Sequence, residues 1–265
     1  IAVATTHYFF GDRKIGSVGM RIPYQTIRIA NIDDSGNIIK DCDTNEIGTI
    51  LHSGISTFPG YKQQQANLAV WPEDDLFNSG DMGRMDEEGY LWLVGRAKDL
   101  IIRGGHNIDP LVTEDALAAH PAVEVAAAVG RPDTHSGEVP VAFVQLVEGA
   151  TASEDELKAF ARDHISERAA APVDVTICDV LPVTAVGKIY KPELRKRAIK
   201  AAFHTALKAA FSETEFMLHI ADDKRLGIKV MLEAVDTDGQ NDFRSQLPEV
   251  LKQFTQHWEL IDVNT

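Results

Sequence analysis

Cysteine is scarce in the sequence, and long apolar runs are missing. The 265 residues contain 2 cysteines, Cys42 and Cys178, and neither belongs to a Cys-x-x-Cys pair or to a Cys/His cluster with metal-ligand spacing. A disulfide framework is therefore not expected, and a reducing cytoplasm fits the isolated thiols. The longest apolar run, residues 123–130, is too short to span a bilayer and contains Glu124. We expect neither a transmembrane segment nor a signal peptide.

Positive charge is outnumbered by negative charge. The chain has 26 Lys and Arg residues against 40 Asp and Glu residues, which gives a formal net charge of −14. A strongly acidic chain repels phosphate backbones, so a nucleic-acid partner is not expected. The composition, 44% hydrophobic and 25% charged, is ordinary for a globular protein. The length allows two small domains or one larger domain.

Residues 1–95 are predicted to form short β-strands. Apolar residues alternate at 26–30 and 48–52, and the run 90–94 is apolar enough to be buried. Clusters of Asp, Gly, Asn and Pro separate these segments, as is typical of turns. Short strands at this spacing favour a small barrel-like layer.

Residues 96–200 are predicted to form an α+β domain, so that the expected fold class of the chain is α+β. Pro110 is placed to open one helix, and Ser153 with Glu156 three residues later is a capping box that opens another. Residues 201–265 are predicted to continue a third helix and to add a ββα(β) layer. Packing against the preceding domain and a contact between copies of the chain are equal hypotheses for this tail.

The first segment that suggests chemistry is Phe77-Asn-Ser-Gly-Asp81. Asp81 follows a glycine, which lets the backbone approach a ligand closely. Its carboxylate could accept two hydrogen bonds from a ribose diol. Taken alone, a turn aspartate that accepts from local amides is the better interpretation.

The second segment runs from Gly95-Arg-Ala-Lys-Asp99 through a glycine pair, Gly104-Gly105. A charged cluster here interrupts two predicted strands where the composition changes, which is typical of a bending link between domains. Arg96 carries a planar fork that suits ribose or phosphate. The glycine pair leaves room for a thin ligand. The alternative is a β-hairpin with a solvated, charged turn.

The third segment is Pro182-Val-Thr-Ala-Val-Gly-Lys-Ile, in which Gly187 permits a tight turn with Lys188 at its tip. A lysine is a compact point charge that suits a carboxylate attacking a phosphate. A phosphate-binding P-loop is rejected, because its upstream glycine is absent and Ile189 replaces Ser or Thr. The alternative is a solvated lysine before a helix.

Taken in order, these segments resemble the ribose-binding, hinge and C-terminal lysine motifs of the adenylate-forming superfamily. That superfamily includes acyl-CoA synthetases, luciferases and peptide-synthetase adenylation domains. The segment from Glu46 to Phe58-Pro-Gly-Tyr61 resembles a further motif of the family, and the resemblance covers about residues 16–197. The family's upstream phosphate loop is absent, and the chain begins with Ile1. The resemblance therefore implies a C-terminal fragment.

The resemblance implies a role for each matched residue. Asp81 would hold the ribose hydroxyls, and Arg96 would contact the nucleotide. Lys188 would be the catalytic lysine of adenylation.

The hinge and CoA residues are also implied by the resemblance alone. Lys98 would be the hinge about which the lid domain rotates. Gly104 and Gly105 would bind CoA by lining the tunnel for its pantetheine arm.

The implied activity is that of an AMP-forming acyl-CoA synthetase, which converts an acid, ATP and CoA to acyl-CoA, AMP and pyrophosphate. The segment 103–110 resembles the fatty-acid branch, so a fatty acid is the expected substrate. ATP with Mg²⁺ and CoA would be substrates, with no tightly bound cofactor and no dedicated metal site. We expect the isolated chain to be inactive. A peptide-synthetase adenylation domain and a non-catalytic, lid-like binding module are the alternatives.

Overall fold

In the computed structural model, the protein divides into two compact units, Ile1–Lys98 and Asp99–Thr265. The described residues are 4–7, 13–33, 35–64, 67, 70–73, 75–212, 214–223, 227–234 and 240–261. Within these residues, no helix combines the length and the apolar character that crossing a membrane requires. The division into 1–95, 96–200 and 201–265 stays a prediction, and its second boundary falls inside a helix that runs Lys191–Ala210.

The first unit contains an antiparallel five-stranded sheet and a separate two-stranded pair. The pair joins β1 (Thr5–Thr6) to β2 (Met20–Arg21). The spatial order of the sheet is β4-β3-β5-β6-β7. Its strands are β3 (Gln25–Ile32), β4 (Ile38–Asp41), β5 (Gly48–Gly54), β6 (Phe77–Met85) and β7 (Leu91–Arg96).

The barrel-like form predicted for residues 1–95 is not seen, because the described part of this sheet is open, with β4 and β7 at its edges. β4 is a short edge strand in which three of the four residues are exposed. Neighbouring residues of β3 point to opposite faces of the sheet. Ile29 packs with Ile50 and Leu91 in one core, and Ala30 belongs to another.

The second unit begins with a mixed sheet. Its order is β10-β11-β8-β9, and β12 pairs in parallel with β11. The strands are β8 (Ile101–Arg103), β9 (His106–Ile108), β10 (Val123–Asp133), β11 (Gly137–Leu146) and β12 (Asp174–Ile177). Three helices belong to the same region, α1 (Pro110–Ala118), α2 (Glu154–His164) and α3 (Lys191–Ala210).

The local signals at the starts of two helices are confirmed. Pro110 occupies the first turn of α1. The predicted capping box opens α2: the Ser153 hydroxyl accepts from the Glu156 amide, and the Glu156 carboxylate accepts from the Ser153 amide. These two bonds satisfy amides that would otherwise have no partner inside the helix.

The central β10–β11 hairpin is buried on both faces. On one face Val123, Ala142 and Val144 pack in a core that also includes residues of α1 and α2. The opposite face contributes to a second core, which includes Leu194 and Ala198 of α3. Helix α3 therefore covers the side of the sheet that α1 and α2 leave open.

The tail forms the predicted ββα(β) layer. It consists of β13 (Phe216–Asp223), β14 (Gly227–Ala234), α4 (Gln240–Leu251) and β15 (His257–Ile261), with β14 between the other strands and parallel to β15. Its buried residues pack with Ile199, Phe203 and Leu207 of α3. Packing against the preceding domain is therefore observed for the tail, and the contact between copies stays a prediction.

Candidate functional site

The predicted nucleotide-binding residues of the first unit lie on one hairpin, formed by β6 and β7. Asp81 and Arg96 are cross-strand partners, and the Arg96 Nε atom lies 3.4 Å from Asp81 Oδ1. The side chains retain 35% (Asp81) and 72% (Arg96) of their exposure, so both can still reach a ligand. A carboxylate beside a planar guanidinium offers both acceptors and donors to a ribose or a phosphate.

The backbone around Asp81 leaves its carboxylate available. Gly80 has φ = +75°, a conformation that side-chain-bearing residues rarely adopt. The Gly80 amide donates to Asn78 Oδ1 at 2.8 Å, and the Asp81 amide donates to Ser79 Oγ at 3.2 Å. Local amides are thus bonded to Asn78 and Ser79. The interpretation of Asp81 as a turn aspartate that accepts from these amides is not supported.

A cavity of about 220 Å³ lies beside Asp81, and His52 is a lining residue that the sequence reasoning missed. His52 is 3% exposed, and its Nε2 atom has no hydrogen-bond partner among the described residues. Burial lowers the pKa of His52, and the Asp81 carboxylate opposes this shift. The available signal was a histidine in a buried strand, two residues after Ile50 and therefore on the same face of the sheet.

The β6–β7 hairpin is closed by a turn in which Asp86 accepts four hydrogen bonds. Its Oδ1 atom accepts from the amides of Glu88 (3.0 Å) and Tyr90 (2.9 Å). Its Oδ2 atom accepts from Lys14 Nζ (2.6 Å) and from the Trp92 indole (3.0 Å). Partial burial raises the pKa of the Asp86 carboxyl, but these donors outweigh burial and hold the pKa well below its usual range. The turn thereby supports the register that pairs Asp81 with its partner.

The predicted CoA-binding glycines form the loop of a second hairpin. Arg103 pairs with His106 across β8 and β9, and Gly104 and Gly105 are the two residues between them. Their φ values are +59° and +83°, which two-residue hairpin loops of this type require. Both glycines are exposed, and a Cβ atom added to either would meet no atom of the described residues beyond its chain neighbours within 4 Å. The two glycines can therefore form the hairpin loop and still leave space beside the loop for a ligand.

The predicted hinge residue lies at the unit boundary. Lys98 is the last residue of the first unit, in a turn between β7 and β8. The next residue, Asp99, begins the second unit and accepts from Arg195 Nη2 of α3 at 2.9 Å. A boundary at this point places a turn, rather than a continuous strand, between the two units.

Lys188 is an exposed residue in a closed loop of the second unit. Val183 and Ile189 bridge the loop, and the Tyr190 amide donates to the Pro182 carbonyl at 2.7 Å. Inside it, the Thr184 amide donates to the Lys188 carbonyl at 2.7 Å. The loop thus holds the Lys188 backbone while its side chain extends into solvent.

The basic stretch that follows Lys188 is largely neutralised by ion pairs. Four of its cations have carboxylate partners, which are Lys191–Glu114, Arg195–Asp99, Lys196–Asp222 and Arg197–Glu193. A phosphate-attracting surface needs unpaired cations, so this face fits a solvated helix better. In the described part of the chain, no group of three or more His, Cys, Asp or Glu side chains is arranged to hold a metal ion.

Comparisons of the sequence with known proteins identify similar proteins that are CoA ligases. Residues 113–188 match the family described as the AMP-binding enzyme C-terminal domain, and the match ends at Lys188. The chain is 48% identical over 259 residues to the marinolic acid–CoA ligase of Pseudoalteromonas sp. (strain SANK 73390), covering 97% of this chain and 40% of that protein. It is 36% identical over 192 residues to a long-chain-fatty-acid–CoA ligase of Bacillus subtilis, covering 72% and 33%.

Solved structures that resemble this chain include a further CoA synthetase. The ATP-bound structure of MatB from Rhodopseudomonas palustris matches with a TM-score of 0.66 and 30% identity, covering 75% of this chain and 39% of that one. The o-succinylbenzoate CoA synthetase of Bacillus subtilis, solved with its acyl-adenylate intermediate, matches with a TM-score of 0.61 and 31% identity, covering 69% and 36%. The chain thus spans between a third and two fifths of the length of these relatives.

Proposed function

Because the chain belongs to the adenylate-forming enzymes and carries their AMP-binding C-terminal domain, we propose that it is the C-terminal part of an AMP-forming acid–thiol ligase, with the end of the large domain in residues 1–95 and the mobile lid domain in residues 96–200. The observation that carries the proposal is the exposed Lys188 at the end of the matched domain, held by a loop with its own hydrogen bonds. A lysine in such a loop can be presented to a reacting phosphate without reorganising its backbone.

The proposed reaction has two steps. A carboxylate oxygen of the acid attacks the α-phosphorus of ATP, so that an acyl–O–P bond forms and pyrophosphate leaves. The CoA sulfur, after losing its proton, then attacks the acyl carbonyl carbon. The bond from this carbon to the bridging oxygen breaks, and AMP leaves with that oxygen. Lys188 would bridge the carboxylate and phosphate oxygens of the first step, which offsets the repulsion between the two anions. Mg²⁺ would arrive with ATP.

The other predicted residues have separate tasks in this scheme. Asp81 would accept from the ribose hydroxyls, and Arg96, its partner at 3.4 Å, would donate to the nucleotide. Lys98 would be the pivot, which the unit boundary after it supports. Gly104 and Gly105 would flank the pantetheine arm in the second step, which the open space around their Cα atoms supports. One domain would then serve both steps by rotation.

The proposed substrate is a carboxylic acid of the fatty-acyl kind. Two similar proteins are ligases named for marinolic acid and for long-chain fatty acids, which supports a carboxylic acid as the substrate. We also propose a cytoplasmic location, because both cysteines are unbridged. A peptide-synthetase-type enzyme would transfer its acyl group to a carrier domain, so release of free acyl-CoA distinguishes the two.

The test of the proposal is the variant Lys188→Ala in the full-length gene product. Formation of acyl-adenylate should fall by about 100-fold or more, because a charge that stabilises the transition state is lost. Thioester formation from supplied acyl-adenylate and CoA should stay near the wild-type rate. Each step is measured alone, by pyrophosphate release and by acyl-CoA appearance.

The control for this test is Lys200→Ala, which removes an exposed lysine from α3. This variant should leave both steps unchanged. Equal loss of both steps in Lys188→Ala, or no loss in either, would contradict the proposed role. The chain alone should not catalyse the reaction, and titration calorimetry with ATP should detect no tight binding.

A further inference from the structure

A partly buried ion pair lies next to the Lys188 loop. Lys191 is the first residue of α3, and its Nζ atom lies 2.7 Å from Glu114 Oε1. The side chains are only 22% (Lys191) and 16% (Glu114) exposed. The same Glu114 oxygen accepts from the Ala128 amide at 2.7 Å. One carboxylate therefore joins three elements, namely α1, β10 and the start of α3.

The location of this cation is unfavourable for the helix. Lys191 stands at the N-terminus of a 20-residue helix, where the helix dipole disfavours positive charge. Partial burial of an ion pair also costs desolvation energy, which offsets much of the attraction between the charges. The pair is therefore poorly explained as a device that stabilises the fold, and a geometric role explains it better.

The first turn of α3 is rigidly connected to Lys188. The loop closes through the hydrogen bond from Tyr190 to Pro182, directly before Lys191. Ile189 packs partly buried against the core that includes Leu194. A shift of the helix start would therefore move the backbone of Lys188, because only Ile189 and Tyr190 separate the two.

We propose that Lys191 and Glu114 are a positioning pair that holds the Lys188 loop at the place and angle needed for adenylation. This inference rests on the proposed function. Neither residue contacts substrate in this role. The pair acts through Lys188, and it should matter only in the step that uses Lys188.

The competing explanation is that Lys191 attracts ATP by its charge. The two ideas differ in the partner variant, Glu114→Gln. If Lys191 attracts ATP, the loss of the neighbouring carboxylate should lower KM for ATP, while Lys191→Met should raise it. A positioning pair predicts instead that both variants lower kcat of adenylation and leave KM for ATP nearly unchanged.

The test uses the full-length gene product with the variants Lys191→Met, Glu114→Gln and their combination. Glu114→Gln keeps an oxygen for the Ala128 amide, so the fold is preserved. Each single variant should lower kcat of acyl-adenylate formation by about 10- to 100-fold, the cost of a misplacement near 1 Å. The double variant should be no worse than either single variant, because the pair acts as one unit. Thioester formation from supplied acyl-adenylate should change by less than about twofold.

Two further variants complete the design. Lys191→Arg keeps the charge and should restore most of the adenylation rate. Lys196→Met is the matched control, because Lys196 lies on the same helix, is 19% exposed and pairs with Asp222 of the tail at 2.6 Å. It should leave both steps unchanged. Additive losses in the double variant, or an equal loss in Lys196→Met, would overturn the positioning pair.

Amide hydrogen exchange tests the positioning pair without a measurement of enzyme activity. In the wild-type chain, the Tyr190 and Thr184 amides are bonded within the Lys188 loop. Lys191→Met should speed exchange at these amides by about 10-fold or more, and Lys196→Met should not. Unchanged exchange would overturn the proposal. If Lys188→Ala left adenylation intact, the proposed function would fail, while this exchange result would still report on the pair.

Discussion

Replacing Asp86 by asparagine should destabilise the first unit strongly, although the two side chains have nearly the same shape. Asp86 is 12% exposed and accepts from Lys14, Trp92 and two amides. Asparagine keeps one oxygen for the two amides. Its NH₂ group would then face the Lys14 ammonium and the Trp92 indole, where donor meets donor.

The expected loss follows from the bonds that asparagine cannot accept. Hydrogen bonds to a charged group contribute roughly 1.5–3 kcal/mol each, and an unpaired buried donor adds its own cost. Lys14 is 28% exposed and can turn to water or to Glu88, which lies at 2.9 Å, so its share is reduced. We expect the free energy of unfolding to fall by about 3 kcal/mol for Asp86→Asn.

The effect should also depend on pH in one direction. The folded protein holds the pKa of Asp86 below its ordinary value of 3.8. The folded state therefore keeps this carboxylate ionised at a pH where the unfolded chain binds a proton. Its contribution is complete well above pH 3.8 and declines as the pH falls below that value. The difference between the wild type and Asp86→Asn should shrink in the same range.

The assay is urea unfolding monitored by the fluorescence of Trp92, in a background where Trp71 and Trp258 are phenylalanine. Trp92 donates to Asp86 and so reports on this turn directly. Asp33→Asn is the matched control, because Asp33 accepts from turn amides and from a neutral side chain without a cation. A loss below about 1 kcal/mol in Asp86→Asn, or a loss that is equal at pH 7 and pH 3, would refute the reasoning.

The remaining predictions concern the hinge and a helix cap. Lys98→Pro should stop rotation about the boundary and block one half-reaction of the full-length enzyme, because proline fixes φ and removes a donor. Wild-type rates in both half-reactions would contradict a hinge at Lys98. Ser153→Ala should lower the free energy of unfolding by about 1 kcal/mol, because the Glu156 amide loses its acceptor. Guanidinium unfolding monitored by circular dichroism measures this, and Ser153→Thr should retain most of the stability.

The features that sequence reasoning predicted well are local ones. The capping box needs two residues three positions apart, and a two-residue glycine loop needs only its own backbone conformation. The ββα(β) tail was predictable because alternation and helical spacing are visible within each element. The order of the three motifs along the chain was sufficient to indicate the family.

The features that were missed depend on residues far apart in the chain. Alternation predicts that strands exist but not which strands pair, so the open edge at β4 was mistaken for part of a barrel-like layer. The hydrogen bond from Lys14 to Asp86 joins residues that are 72 positions apart, and no local sequence pattern predicts it. The pair of Lys191 and Glu114 is equally remote in the sequence, so no local pattern indicates it.

Helix α3 belongs to two cores at once, and this limits how the protein can be recombined. Its first half packs under the β10–β11 hairpin through Leu194 and Ala198. Its second half is shared with the tail through Phe203 and Leu207, which are fully buried. A chimaera joined within this helix, or directly after it, would leave one of these apolar faces open to water. Exchange of lids between related ligases should therefore transfer the helix and the tail as a single module.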